Sequence, residues 1–193
     1  LYQSDPVHLV KPPRLDSGNS GKAALYLVHL GMLPEWRPIE TLLVALEQVS
    51  LPVFIDIFGY LYPEARHSIR SSPRLSAKIR CNKAVSYCES HHIAEDSGAL
   101  LVIIGPRHLD NQPSKFFEYL AHHKPILVIG PLGNPIQSIM DILGIGIYCD
   151  ILDPEAIAVA MDNLVDGWDG FISAYEKNKD AIAVYSAPRV ASL

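Results

Sequence analysis

At 193 residues, 49% of them hydrophobic and 19% charged, the chain is long enough for one folded domain with a core of ordinary size and too apolar to be a disordered segment. A formal net charge of −5 excludes a general attraction to nucleic acid or anionic membrane, so any phosphate site has to be local. No apolar run approaches the roughly 18 residues a membrane span needs, and Cys81, Cys88 and Cys149 lack metal-like spacing and read as free thiols of a reducing compartment.

Residues 1–22 are rich in Pro, Ser and Gly and read as a linker or the end of a missing upstream domain; the start Leu1-Tyr2-Gln3 suits a fragment. Residues 23–187 are expected to form the folded domain, and 188–193 a tail. Ala23 to Leu30 is a strand candidate closing in Gly31, followed by a loop carrying Arg37 and a helix over Pro38 to Ser50. Gly31 serves either a close backbone approach or a turn with positive φ. Pro52 to Phe58 is a second strand closing in Gly59; Pro63 to Arg70 and Arg74 to Ile79 read as helices, Lys83 to Tyr87 as a weak strand, and His91 to Ser97 as a short helix.

The aliphatic runs Ala99 to Ile104 and Ile126 to Gly130 have the composition of central strands in a parallel sheet covered on both faces. Parallel neighbours need a crossover, which Ser114 to His123 supplies, with Phe117, Leu120 and Ala121 as its inward face. Pro113 suits the first helical position, and Ser114 or Gln112 is a capping candidate. Lys115, Glu118 and His122 share another face of that helix. They are either placed for a phosphate and a pair of hydroxyls or are a solvated face with an ion pair.

A helix from about Pro135 to Leu143, an edge strand Ile145 to Cys149, a helix capped by Asp153 and one or two further helices complete the chain. Strands alternating with helices predict an α/β domain, a Rossmann-like parallel sheet of five or six strands with helices on both faces. Its ligand edge lies beyond the carboxyl ends of the strands. The adjacent pairs His91-His92 and His122-His123 point about 100° apart on a helix, so most histidines are expected at the surface and no metal site is expected.

The block Pro113-Ser-Lys-Phe-Phe-Glu118-Tyr-Leu-Ala-His-His-Lys-Pro125-Ile-Leu-Val-Ile-Gly130 resembles the signature of the C-terminal, donor-binding domain of retaining glycosyltransferases of the GT-B fold, group 1 or family 4-like. Leu30-Gly31 with Arg37 and Glu40-Thr-Leu-Leu-Val-Ala45, then Asp56-Ile-Phe-Gly59 and Asp153-Pro-Glu-Ala-Ile-Ala, resemble further blocks in the same order. The resemblance implies a site for a UDP- or GDP-sugar, used as co-substrate without a metal, and a missing N-terminal domain that holds the acceptor.

By resemblance Glu118 accepts hydrogen bonds from the donor ribose, Ser114 and Lys115 face the diphosphate, and Gly31 and Gly59 close the nucleotide loops. Asp110 stands where the family has the first glutamate of a Glu-x7-Glu pattern, and Arg37 is one member of the basic pair that stabilises the leaving diphosphate; both are the implied catalytic residues. Pro38 occupies a place often taken by lysine, and Met32 one sometimes taken by arginine. The implied setting is cytoplasmic polysaccharide biosynthesis, with membrane association through the missing domain, and the fragment alone is expected to be inactive. A sugar-nucleotide epimerase of the same fold and a non-catalytic nucleotide-binding module are the alternatives.

Overall fold

The computed structural model describes residues 24–186. The linker expected over 1–22 and the tail over 188–193 lie outside them, as does Ala23 at the expected start of the first strand.

The described residues form a six-stranded sheet, β1 (Leu25–Leu30), β2 (Val53–Phe58), β3 (Ile79–Asn82), β4 (Ala99–Ile103), β5 (Ile126–Gly130) and β6 (Gly146–Asp150). Every pairing is parallel and the strand order is β3-β2-β1-β4-β5-β6. The helices are α1 (Glu40–Gln48), α2 (Pro63–Ser71), α3 (Pro73–Lys78), α4 (Tyr87–Asp96), α5 (Ser114–Tyr119), α6 (Pro135–Leu143), α7 (Pro154–Asp166), α8 (Trp168–Lys177) and α9 (Lys179–Ser186).

β4 and β5 are buried along their whole length, as their unbroken aliphatic sequences require when both faces are covered. Alternate residues feed two cores. Leu25, Leu27, Ile55, Leu101 and Leu127 pack with α1, α2, α3 and α7. Val28, Leu30, Leu100, Val102 and Val128 pack with α4, α5, α6, α8 and α9 on the other face.

Several expectations are corrected. The strand expected over Lys83 to Tyr87 is instead Ile79–Asn82, where Ile79 is buried against β2 and Arg80 points outward to a two-pronged ion pair with Asp56, both contacts 2.6 Å. The helix expected from His91 begins at Tyr87, because Ser86 and Glu89 form a reciprocal capping box. The inward face of α5 and the turn that follows it is Phe116, Tyr119 and Leu120, with Phe117 half-buried and Ala121 exposed.

α5 passes into a single 3-10 turn, Leu120–His122, and ends at His123 in the left-handed conformation (φ 52°). Lys124 and Pro125 then lead into β5. Pro113 occupies the N-cap position rather than the first helical one, with extended backbone, and no side chain caps the helix, so neither Ser114 nor Gln112 takes the capping role.

Candidate functional site

In the order 3-2-1-4-5-6 the direction of chain progression reverses between β1 and β4, and that crevice at the carboxyl edge is where open α/β sheets bind ligands. A cavity of about 150 Å³ lies there, lined by His29, Leu30 and Gly31 of β1 and its loop, Leu101 to Ile103 of β4, Arg37, and Pro113 to Lys115. It is smaller than the roughly 300–1,000 Å³ of a site that encloses a whole organic ligand, and suits one charged portion of a larger molecule.

The loop walls are held by backbone. Gly31 and Gly59, both at positive φ (141° and 134°), end adjacent strands, and a Cβ on Gly59 would lie 2.2 Å from the Gly31 carbonyl oxygen. Beyond them Leu33 and Tyr60 to Tyr62 continue the pairing as a bridge, with Leu33 N–H donating to the Tyr60 carbonyl (2.7 Å) and Tyr62 N–H to the Leu33 carbonyl (3.1 Å). A Cβ on Gly105 would meet the Trp36 carbonyl oxygen at 2.0 Å, so this glycine lets the Arg37 loop close on the segment after β4. α5 is fixed to β1 by Tyr119, whose hydroxyl accepts from the Leu30 N–H at 3.0 Å.

Two cations reach the cavity from separate elements, Arg37 from the β1 loop and Lys115 from the first turn of α5. Arg37 donates through Nη1 to the Met32 carbonyl (3.4 Å), while its buried Nε has no partner. Lys115 is held at 2.5 Å by the Glu118 carboxylate, with both side chains about one-third exposed. His29 donates from Nδ1 to the Leu101 carbonyl (3.0 Å) and leaves Nε2 buried without a partner. Burial chiefly, and the charges of Arg37 and Lys115 after it, lower this imidazole from 6.5 to about 4 against the opposing pull of the Leu101 carbonyl.

The sequence of the chain matches no family model and no curated protein. In three dimensions it is similar to Alr3699/HepE of Anabaena in complex with UDP (TM-score 0.62, 12% identity, 84% of this chain and 44% of that one). It is also similar to the catalytic domain of cholesterol-α-glucosyltransferase from Helicobacter pylori (TM-score 0.61, 9% identity, 83% and 98%). A third similar structure is sucrose-phosphate synthase from Thermosynechococcus elongatus (TM-score 0.65, 13% identity, 83% and 41%). The chain shares its fold with these glycosyltransferase structures. The chain spans under half the length of the HepE and sucrose-phosphate synthase chains.

Of the residues singled out in sequence, the fold brings Gly31, Arg37, Ser114 and Lys115 together at the cavity. Gly59 stands behind Gly31 as a packing residue. Glu118 reaches the cavity only through Lys115. Asp110 is exposed in the 106–113 loop and is not part of the lining.

Sequence reasoning missed His29 and Asn134. The signal for His29 was a lone imidazole in an otherwise aromatic and aliphatic strand, Leu-Tyr-Leu-Val-His-Leu. Asn134, 1% exposed, accepts from the Ile136 N–H (2.9 Å) as the α6 cap and donates from Nδ2 to the carbonyls of Leu109 (2.8 Å) and Asn111 (3.0 Å), tying down the loop that carries Asp110. No cluster of three or more metal-ligating side chains occurs among the described residues, and no helix there is long and apolar enough to cross a membrane.

Proposed function

We propose that the chain is the donor-binding half of a glycosyltransferase and that the β1/β4 cavity takes the diphosphate of a nucleotide sugar. The observation that carries the reading is the convergence of Arg37 and Lys115, from opposite sides of the strand-order reversal, on a cavity sized for part of a ligand. UDP and UDP-glucose bound to the similar Anabaena protein support it.

In this reading the bond from the sugar's anomeric carbon to the diphosphate breaks as the acceptor's nucleophilic atom, losing its proton, bonds to that carbon, and the departing nucleoside diphosphate gains negative charge. Arg37 and Lys115 meet that charge where it develops, which is the most effective place for an electrostatic contribution. Lys115 exchanges its Glu118 partner for a phosphate oxygen, and the released carboxylate, acceptor-only, turns to the two vicinal ribose hydroxyls. The acceptor and the second wall of the cleft belong to a domain outside this chain, so we expect binding without transfer from the chain alone.

Crystals soaked separately with UDP and with GDP test the reading. Diphosphate density between Arg37 and Lys115 supports it; a nucleotide bound elsewhere, or nowhere, overturns it. A second reading, a nucleotide-binding module without transfer, is favoured by the exposure of Asp110 away from the cavity lining. Product analysis on a protein carrying both domains separates the two.

A further inference from the structure

The cavity contains one buried group to which the diphosphate reading gives no task. His29 is 5% exposed, on the strand face of Leu25 and Leu27, and its Nδ1 proton is committed to the Leu101 carbonyl. The neutral ring therefore carries its lone pair on Nε2, which is buried and unpartnered. Gly31, which lines the same cavity, is the neighbour of that nitrogen: a Cβ there would stand 3.9 Å from Nε2, in ordinary contact.

The charged and titratable neighbours are few. Arg37 comes from the β1 loop, and Lys115 with its partner Glu118 from α5; Tyr119, also on α5, binds the next residue of β1 through its hydroxyl. The flanking strands contribute the uncharged Ile57 and Leu101. In the free protein burial between apolar walls, and after it the charges of the two cations, keep the ring neutral. An oxyanion entering this cavity meets a lone pair at Nε2, and two acceptors repel. A proton on that nitrogen converts the same contact into a charge-assisted hydrogen bond.

Resting on the diphosphate reading above, we propose that His29 is a proton-linked ligand contact: as the diphosphate enters, the imidazole takes one proton from solvent at Nε2 and donates it to a phosphate oxygen, adding a third positive charge to those of Arg37 and Lys115. An opposite charge within about 4–6 Å raises a titrating group by about 1–3 pH units. That brings His29 from about 4 into the range of roughly 5–7, where uptake is measurable.

The test is titration calorimetry of the chain with UDP-glucose and with GDP-mannose, at pH 6, in two buffers of different ionisation enthalpy. The diphosphate diesters of these probes exchange no proton there, unlike a terminal phosphate, which itself titrates near about 6. The expected result is a binding heat that depends on the buffer, and an affinity that falls from pH 5.5 to 7.5 as the proton becomes costlier to bind, about 4-fold if the bound ring titrates at the middle of the range of roughly 5–7 and about 20-fold at its upper end. His29→Gln is expected to bind with neither dependence. In the wild type the His29 ring resonance is expected to move to its imidazolium position on saturation, a reading that needs no variant. Buffer-independent binding with an unmoved resonance, or a pH slope retained in His29→Gln, overturns the role of His29 while leaving the diphosphate reading intact. No binding of either probe overturns both.

Discussion

Lys115 and Glu118 are partners across one turn of α5, 2.5 Å apart, with the lysine on the cavity and the glutamate just outside it. The pair is about one-third exposed, so it adds little to stability and is free to rearrange. Glu118→Gln is expected to weaken UDP or GDP binding roughly tenfold through the lost charged contacts to ribose. The same change is expected to leave inorganic pyrophosphate bound as tightly or more tightly, because Lys115 is released. Paired calorimetric titrations check this; equal weakening of both ligands removes Glu118 from the ribose.

Gly59 is fixed by geometry rather than by ligand contact. A methyl group there meets the Gly31 carbonyl at 2.2 Å in a backbone conformation (φ 134°) that side chains rarely adopt. Gly59→Ala is expected to cost about 2–4 kcal/mol, from strain and overpacking together. In a chain of this length that lowers the thermal midpoint by roughly 4–16 °C, as differential scanning calorimetry would report. A change within about 1 °C would contradict the close approach of the two loops.

His29 also makes folding pH-dependent. Its imidazole titrates near 4 in the folded chain and near 6.5 when unfolded, so between those values the unfolded chain binds more protons. Stability therefore falls as pH drops from 6.5 to 4, by roughly 3 kcal/mol for this group. Urea midpoints at pH 7 and pH 4.5 are expected to differ less in His29→Gln than in the wild type. An equal difference would mean that the ring is not held neutral by burial.

Asn134 joins the α6 cap to the 106–113 loop. Asn134→Ala is expected to cost about 2–3 kcal/mol, through the lost cap and the loop carbonyls left without their donor. Amide exchange is expected to quicken across residues 108–112 before it does so in β4 or β5. Unchanged exchange in that loop would show that other contacts hold it.

The unbroken aliphatic runs that became β4 and β5 were legible because a central parallel strand has to be apolar on both faces, and β1 and β2 were legible as apolar-rich runs closing in Gly31 and Gly59. β3 was not. As an edge strand of four residues with Arg80 and Asn82 exposed or half-exposed, it lacks that pattern. The Ser86-x-x-Glu89 box marks the start of α4, but it overlaps the strand expected over Lys83 to Tyr87. The rotated face of α5 follows from its short length and its passage into a 3-10 turn, where spacing of three and four residues fits several faces equally well. The placement of Arg37 on the loop after β1, and of Lys115 on the first turn of the crossover helix, was readable in sequence. Asn134 was not, because its reach back over more than twenty residues depends on how two loops meet in space.

The central claim is that Arg37 and Lys115 together bind a diphosphate at the β1/β4 edge. Titration calorimetry of UDP and GDP, at up to millimolar concentration, against the wild type and the separate Arg37→Ala and Lys115→Ala variants tests it most directly. A charge-assisted hydrogen bond contributes about 1.5–3 kcal/mol. Each single change is therefore expected to weaken a measurable wild-type affinity by about 10- to 100-fold. No heat with either nucleotide, or affinities indifferent to both substitutions, would contradict it.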